Sequence, residues 1–430
     1  PWPPELREAL AAELARVLAD SAPHRYPARD LRQAVIARIA AYVGAAEDAV
    51  VLGNGSDELV QAVLGTLGAR CTAAVAPSPT FGYYATAAAA AGVPYRPVPV
   101  PPERAVTLDD LQPVLDALPG EKLVFLCRPN NPTGLSCELE VVEGLLERSD
   151  VWLVVDEAYA EYAGESVLHA HRAASRLGAR PPASPLDARS PGLAGGIPPV
   201  RATGGDGVGA AGSGGPPPAS GTGAPRGDLP AGETDPSPPR LVVLRTLSKA
   251  FALAGARVGY AVATPVVADR LRRWLQPYNV NTLSLVAARV ALDHRDVFLR
   301  RVEATRRRRD RLRGALGRLP GITPLPSRGN FVLFRVEPAS AARPLAEALA
   351  RRGIAVRAFP WEPSLTGYLR VTVGTEAENQ AFLTALAAAW GGGGTSPSGG
   401  GTAPSGADQG PARLRPAAGS SGKDKGGWGA

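Results

Sequence analysis

Residues 241–260, LVVLRTLSKAFALAGARVGY, decide how the rest of the chain is read. The stretch opens on a continuous apolar run, Leu241–Leu244, short enough for a strand buried on both faces. The run breaks into Thr246, Ser248 and Lys249, and a Gly-punctuated segment carrying Arg257 follows. A lysine just past the carboxyl end of a buried strand stands where open α/β sheets hold their ligands. Two hydroxyls and an arginine within a few residues of it form a phosphate cradle. An isolated Ser-Lys pair after a core strand is more often an ordinary surface feature, so the reading needs support from elsewhere.

Two other strands supply it. Lys122–Cys127 (KLVFLC) ends at Arg128-Pro129-Asn130-Asn131-Pro132-Thr133-Gly134, whose prolines and glycine force a turn and leave the Asn131 amide at the strand's end. Val151–Val155 (VWLVV) ends in Asp156-Glu157-Ala158-Tyr159. Strands alternating with helical segments predict a mostly parallel sheet, with Asn131, Asp156 and Lys249 along one edge. Upstream, Gly53-Asn54-Gly55-Ser56-Asp57-Glu58 feeds the apolar-periodic Leu59–Leu67. A Gly-rich turn into a helix presents free N–H groups to an anion, although Ser56 or Asp57 as an ordinary N-cap is the competing reading. Cys71–Ala76 reads as a strand running into PSPTFGYY, where Phe81 is a candidate to lie flat on a ring and core packing is the alternative. An amine with a phosphate grip meets the needs of pyridoxal phosphate (PLP).

Around this centre, residues 5–20 and 31–42 have helical periodicity, separated by the His24-Arg25-Tyr26-Pro27 break. After Tyr260, helices are expected over Val266–Trp274 and Leu283–Leu316, and a strand over Asn330–Phe334. A helix over Leu345–Arg352, a strand beginning at Gly353–Arg357, a last strand Tyr368–Gly374 and a helix Glu376–Trp390 complete a smaller α/β domain that contributes Arg357 and Arg370. The expected division is 1–40 as the N-terminal part of the small domain, 41–275 as the large domain and 276–390 as the rest of the small one. Residues 175–240 are rich in Gly and Pro without a collagen period, and too poor in large apolar side chains to offset ordering entropy. They read as a disordered insertion, and 391–430 as a disordered tail.

At 430 residues and 45% hydrophobic content the chain can bury a sizeable core. No apolar run reaches membrane-spanning length and no secretory signal is present. Cys71, Cys127 and Cys137 are odd in number and lack metal-ligand spacing, which suits a reducing, cytoplasmic compartment. Much of the formal charge of +7 sits in Arg306–Arg309, read as a solvated helix face because no aromatics interleave for nucleic-acid binding. Methionine is absent even at position 1, so a segment before Pro1 is expected to be missing.

GNGSDE, PSPTFGYY, RPNNPTG, VVDEAY, TLSKAFALAGARVGY and LRVTVGT occur in that order. Together they strongly resemble the PLP-dependent aminotransferases of fold type I, in the histidinol-phosphate aminotransferase branch, over nearly everything but the insertion and tail. The resemblance implies a large domain with a mostly parallel sheet and a smaller α/β domain. It implies that Lys249 carries the cofactor as a Schiff base and shuttles the proton, that Asp156 pairs with the pyridine nitrogen, and that Asn131 and Tyr159 bond the phenolic oxygen. Phe81 would stack on the ring. Backbone at Ser56 and Asp57, with Thr246, Ser248 and Arg257, would hold the phosphate, helped by Tyr26 from the partner of a homodimer. Arg370 would bind the substrate α-carboxylate and Arg357 the substrate's own phosphate. Pro1-Trp2-Pro3 falls just inside the family's usual Asn-Glu-Asn-Pro segment, so the N-terminal arm that helps close the site is expected to be absent. An aromatic amino-acid aminotransferase, a threonine-phosphate decarboxylase and the effector domain of a PLP-sensing regulator share parts of the pattern; the last normally carries a DNA-binding module ahead of it.

Overall fold

The computed structural model of the chain describes residues 2–20, 24–170 and 240–390. The Gly/Pro-rich stretch read as an insertion, but for Arg240, and the 391–430 tail lie outside the described residues. Seven strands form the larger sheet: β1 (Val50–Asn54), β2 (Ala73–Ser78), β3 (Tyr95–Pro99), β4 (Lys122–Cys127), β5 (Val151–Asp156), β6 (Leu241–Thr246) and β7 (Val258–Ala263). Their order is β1-β7-β6-β5-β4-β2-β3. All neighbours are parallel except β7, which runs antiparallel to both β1 and β6.

Every residue of β4, β5 and β6 is buried, which explains their unbroken apolar runs: helices cover both faces and neither face needs polar alternation. Alternate side chains feed two separate cores. Leu153, Val155, Leu241 and Val243 join Val35, Ile39, Leu285 and Ala288 from helices 29–43 and 282–293. Val154, Val242 and Leu244 join Leu59, Val63 and Leu271 from helices 55–66 and 265–274.

β7 falls in the segment read only as a Gly-punctuated cradle. Arg257 adopts φ 52°, and the chain there turns back so that β7 pairs with β6 as a hairpin. β3, with Pro97 and Pro99, was not expected either; it lies at the sheet edge, where a missing N–H donor is tolerated.

The smaller sheet is antiparallel, in the order β10-β11-β9-β8: β8 (Ile322–Pro324), β9 (Phe331–Val336), β10 (Arg357–Ala358) and β11 (Tyr368–Thr372). Val332, Phe334 and Leu369 pack on Leu312, Leu316, Leu345, Leu349, Phe382 and Leu386 from flanking helices. The strand expected from Gly353 is only the two residues of β10, and the single helix expected over Leu283–Leu316 is two, Thr282–Asp293 and Arg295–Leu316, broken at His294.

One expectation is corrected outright. Arg309 does not share the solvated face of the Arg306–Arg309 run. It is buried, and its guanidinium donates to the carbonyls of Tyr162 (3.4 Å) and Gly329 (3.2 Å). Arg307 is exposed and Arg306 half-buried, both paired with Glu303. Among the described residues no helix is long and apolar enough to cross a membrane.

Candidate active site

The register of the parallel strands builds the site. Cys127 of β4 pairs with Asp156 of β5, which pairs with Leu244 of β6. Three chains therefore leave the sheet side by side: β4 into the Asn131 loop, β5 into the Glu157–Tyr159 turn, and β6 into Leu247–Lys249.

The side chains meet there. Arg370, on β11, donates through Nη1 to Asn131 Oδ1. Its guanidinium lies 4.9 Å from the centre of the Phe331 ring, and Phe331 meets Tyr159 edge-on at 5.2 Å. Lys249 Nζ lies 5.7 Å from the centre of the Tyr159 ring. Arg357 stands opposite Arg370 in the β10–β11 register, with its guanidinium 4.9 Å over Trp361.

Burial sets the electrostatics. Asp156 is 3% exposed, and desolvation raises its carboxyl above the ordinary 3.8, while hydrogen bonds from Tyr84 and the Ala158 N–H oppose the rise. Desolvation lowers the Lys249 amine, and the Arg370 charge lowers it further. Desolvation also lowers Arg370, with Tyr159 opposing and Arg357 reinforcing, and it raises the Tyr159 phenol.

A second group of residues lies close enough to Lys249 for Asp57 and Arg257 to act on its charge. Gly55, at φ 79°, opens helix 55–66; a Cβ there would lie 2.5 Å from Arg257 Nη2. A Cβ on Gly259 of β7 would lie 2.5 Å from the Ser56 nitrogen. Neither Ser56 nor Asp57 is the N-cap; that position is Asn54, and Asp57 instead pairs with Arg257 at 2.8 Å. Thr246 donates to Ser248 Oγ (2.9 Å) and accepts from the Ser248 N–H (3.1 Å), which fixes both hydroxyls.

Phe81 sits at the margin of the site, edge-on to Tyr84 at 5.4 Å. Tyr26 is not brought in: it is 76% exposed and stacks on Tyr278 at 4.4 Å. Two residues escaped the sequence reading. Tyr84 donates its hydroxyl to Asp156 Oδ2 at 2.8 Å. Asn130 donates to the Pro79 carbonyl (3.0 Å) and Thr133 Oγ1 (2.9 Å) and accepts from Thr80 Oγ1 (2.7 Å), tying two loops together. Both lie inside quoted motifs, but nothing local says which of two adjacent asparagines or tyrosines turns inward.

The sequence pattern of the family described as aminotransferase class I and II matches residues 3–186 and 210–386. The chain belongs to the class I and II aminotransferases. A Chromobacterium violaceum protein named histidinol-phosphate aminotransferase is 34% identical over 391 residues, covering 90% of this chain and 89% of its own. One of the same name from Roseiflexus castenholzii is 35% identical over 396 residues, covering 90% and 86%. The fold is shared with the crystal structure of histidinol-phosphate aminotransferase from Sinorhizobium meliloti in complex with pyridoxal-5'-phosphate: TM-score 0.64, 23% identity, 89% of this chain and 86% of that one.

Class I and II aminotransferases are PLP-dependent, and the residues present fit that cofactor. Asp156 is a buried acid held only by neutral donors, with no ion pair among the described residues, so a cationic ring nitrogen would supply what it lacks. The first turn of helix 55–66 carries backbone N–H groups that have no helical partner, with Arg257 packed against Gly55, a donor set that would suit a phosphate.

Proposed function

We propose that this chain transfers the amino group of L-histidinol phosphate to 2-oxoglutarate, giving imidazole-acetol phosphate and glutamate, as a step of histidine biosynthesis. The observation that carries the reading is the pair of arginines facing each other across β10 and β11, Arg357 and Arg370, with Arg370 bonded to Asn131 and its charge acting on the Lys249 amine beside Tyr159.

Lys249 would hold the cofactor through its aldehyde, and Asp156 would pair with its ring nitrogen. Asn131 and Tyr159 would bond its phenolic oxygen, and Phe81 would cover the ring. The N–H groups at Ser56 and Asp57, the hydroxyls of Thr246 and Ser248, and Arg257 would receive its phosphate. Bound PLP supplies an electron sink for the pair left when the substrate's α-proton departs. Lys249 takes that proton and returns it; its lowered pKa leaves more of the amine neutral, and thus able to accept, near working pH. Arg370 offers a two-pronged fork to the α-carboxylate, a geometry lysine lacks, and its bond to Asn131 orients the fork. Arg357 takes the second anion, a phosphate from one substrate and a carboxylate from the other, so one cation serves both half-reactions. The same reading makes the enzyme a cytoplasmic homodimer in which Tyr26 reaches the partner's phosphate, and leaves the smaller domain to the part of 276–390 beyond helix 282–293, which packs on the larger sheet.

The test is a comparison of kcat/KM for histidinol phosphate and for phenylalanine with 2-oxoglutarate, with released carbon dioxide measured alongside. Histidinol phosphate should be preferred, and Arg357→Ala should erase most of that preference. A preference for phenylalanine would turn the assignment to an aromatic aminotransferase, and carbon dioxide release to a decarboxylase.

A further inference from the structure

We propose that Tyr84 is a positioning residue whose hydroxyl holds the Asp156 carboxylate aimed at the ring nitrogen while its ring backs Phe81. The inference rests on the reading that this site holds PLP.

Tyr84 is fully buried on helix 83–90, stacked on Phe125 of β4 at 4.7 Å and 16°, and edge-on to Phe81 at 5.4 Å and 87°. Its hydroxyl meets Asp156 Oδ2 at 2.8 Å, and the Ala158 N–H meets Oδ1 at 3.1 Å. Two donors on two oxygens fix the plane of the carboxyl group, and the packed ring fixes the first donor. Replacement by phenylalanine would preserve both aromatic contacts and remove one hydrogen bond, so the two functions of this side chain are separable.

The other groups facing Asp156 do not substitute for that bond. Cys127, its register partner on β4, has a thiol that burial pushes far above its ordinary value, so it carries no charge. Asp57 from helix 55–66 raises the Asp156 carboxyl, and Lys249 lowers it least of the named influences. Tyr159 is itself held neutral by burial. The phenol of Tyr84 is pushed well above 10.0 by burial and then by the Asp156 charge, so it stays a donor across the working range. A hydrogen bond donated to a carboxylate stabilises its charged form. Without it, Asp156 holds its proton to higher pH and offers less charge to a cationic ring.

The experiment uses the full chain stripped of cofactor. PLP affinity is titrated spectroscopically from pH 5 to pH 9 for the parent and for Tyr84→Phe. In parallel, the Asp156 carboxyl is titrated by 13C NMR on aspartate-labelled protein, its signal assigned with Asp156→Asn. Tyr84→Phe should weaken PLP binding about tenfold near neutrality, the scale of one hydrogen bond to a charged group. It should also move the acid limb of binding and the Asp156 titration to higher pH, while KM for the amino donor changes little. A variant with 3-fluorotyrosine at 84, a stronger donor of nearly the same shape, should move the titration to lower pH; this arm decides the matter if the phenylalanine variant fails to fold. An Asp156 titration that stays put when the hydroxyl is removed or strengthened overturns the proposal. Absence of PLP binding by the parent chain would instead overturn the functional reading, and the carboxyl titration would still judge the Tyr84–Asp156 bond.

Discussion

Asp156 and Glu157 are chain neighbours of the same chemistry, 3% and 1% exposed, yet they are held by opposite means. Glu157 faces the core that holds Tyr42, accepts from Ser166 Oγ (2.5 Å) and the Val167 N–H (2.6 Å), and lies 3.6 Å from the guanidinium of Arg245. Arg245 also pairs with Glu161 at 2.7 Å and lies 5.8 Å from the centre of the Tyr42 ring. Asp156, on the Tyr84 and Phe125 side, has only neutral donors. A buried acid with a resident cation is part of the scaffold, because its charge is already balanced. A buried acid without one costs stability and is retained for what it does to a guest.

The largest expected effect breaks the comparison at its functional member. Asp156→Asn should lower kcat at least about a hundredfold, since one side of a buried charge pair is worth roughly 3–5 kcal/mol and 1.4 kcal/mol is a factor of ten. Steady-state turnover within tenfold of the parent would refute the role given to this acid. The same change should leave the cofactor-free protein as stable as before, or more so, in urea unfolding.

Glu157→Gln should do the reverse. Arg245 keeps Glu161 but loses one of its two acidic partners, so about 2 kcal/mol of unfolding free energy should be lost, with kcat within a few-fold of the parent. A stable, inactive variant would show that Glu157 belongs to the chemistry and that the contrast is false.

pH sharpens the same contrast. Because the Asp156 carboxyl is raised, the folded cofactor-free protein holds that proton to higher pH than the unfolded chain. Its contribution therefore favours the fold in acid, fades as pH rises through 3.8 toward the folded value, and is a constant cost above that. Thermal melts of the parent against Asp156→Asn should differ increasingly in favour of Asn as pH goes from 4 to 7. Parallel curves would remove the basis for calling Asp156 unbalanced.

The smallest effect tests burial next to the pair. Cys127 and Cys137 are buried, and desolvation pushes the Cys137 thiol up to about 11. Both should resist alkylation at pH 8 in the native protein and react on unfolding, as followed by mass spectrometry.

The sequence discloses Asp156, Asn131 and Lys249 because fully buried parallel strands leave unbroken apolar runs, so their ends stand out. The order of the six motifs carries the family in the same way. What stays hidden depends on partners distant in the chain. Tyr84 reaches Asp156 across 72 positions, and Arg309 finds carbonyls 147 and 20 positions away from inside a run that reads as solvent-facing. β7 is disguised by the glycine and arginine that start it. β10 is too short to have a period, and the break at His294 carries neither proline nor glycine to announce it.

The clearance at Gly55 and Gly259 restricts how such an enzyme can diversify. At Gly259 an added carbon would lie 2.5 Å from the Gly55 and Ser56 backbone, so even a methyl would force the hairpin and the first helical turn apart; at Gly55, with φ 79°, it would meet the Arg257 guanidinium. Redesign of this end of the site must therefore proceed through side chains, at Ser56, Asp57 and Arg257, and leave the backbone seam at Gly259 as it is.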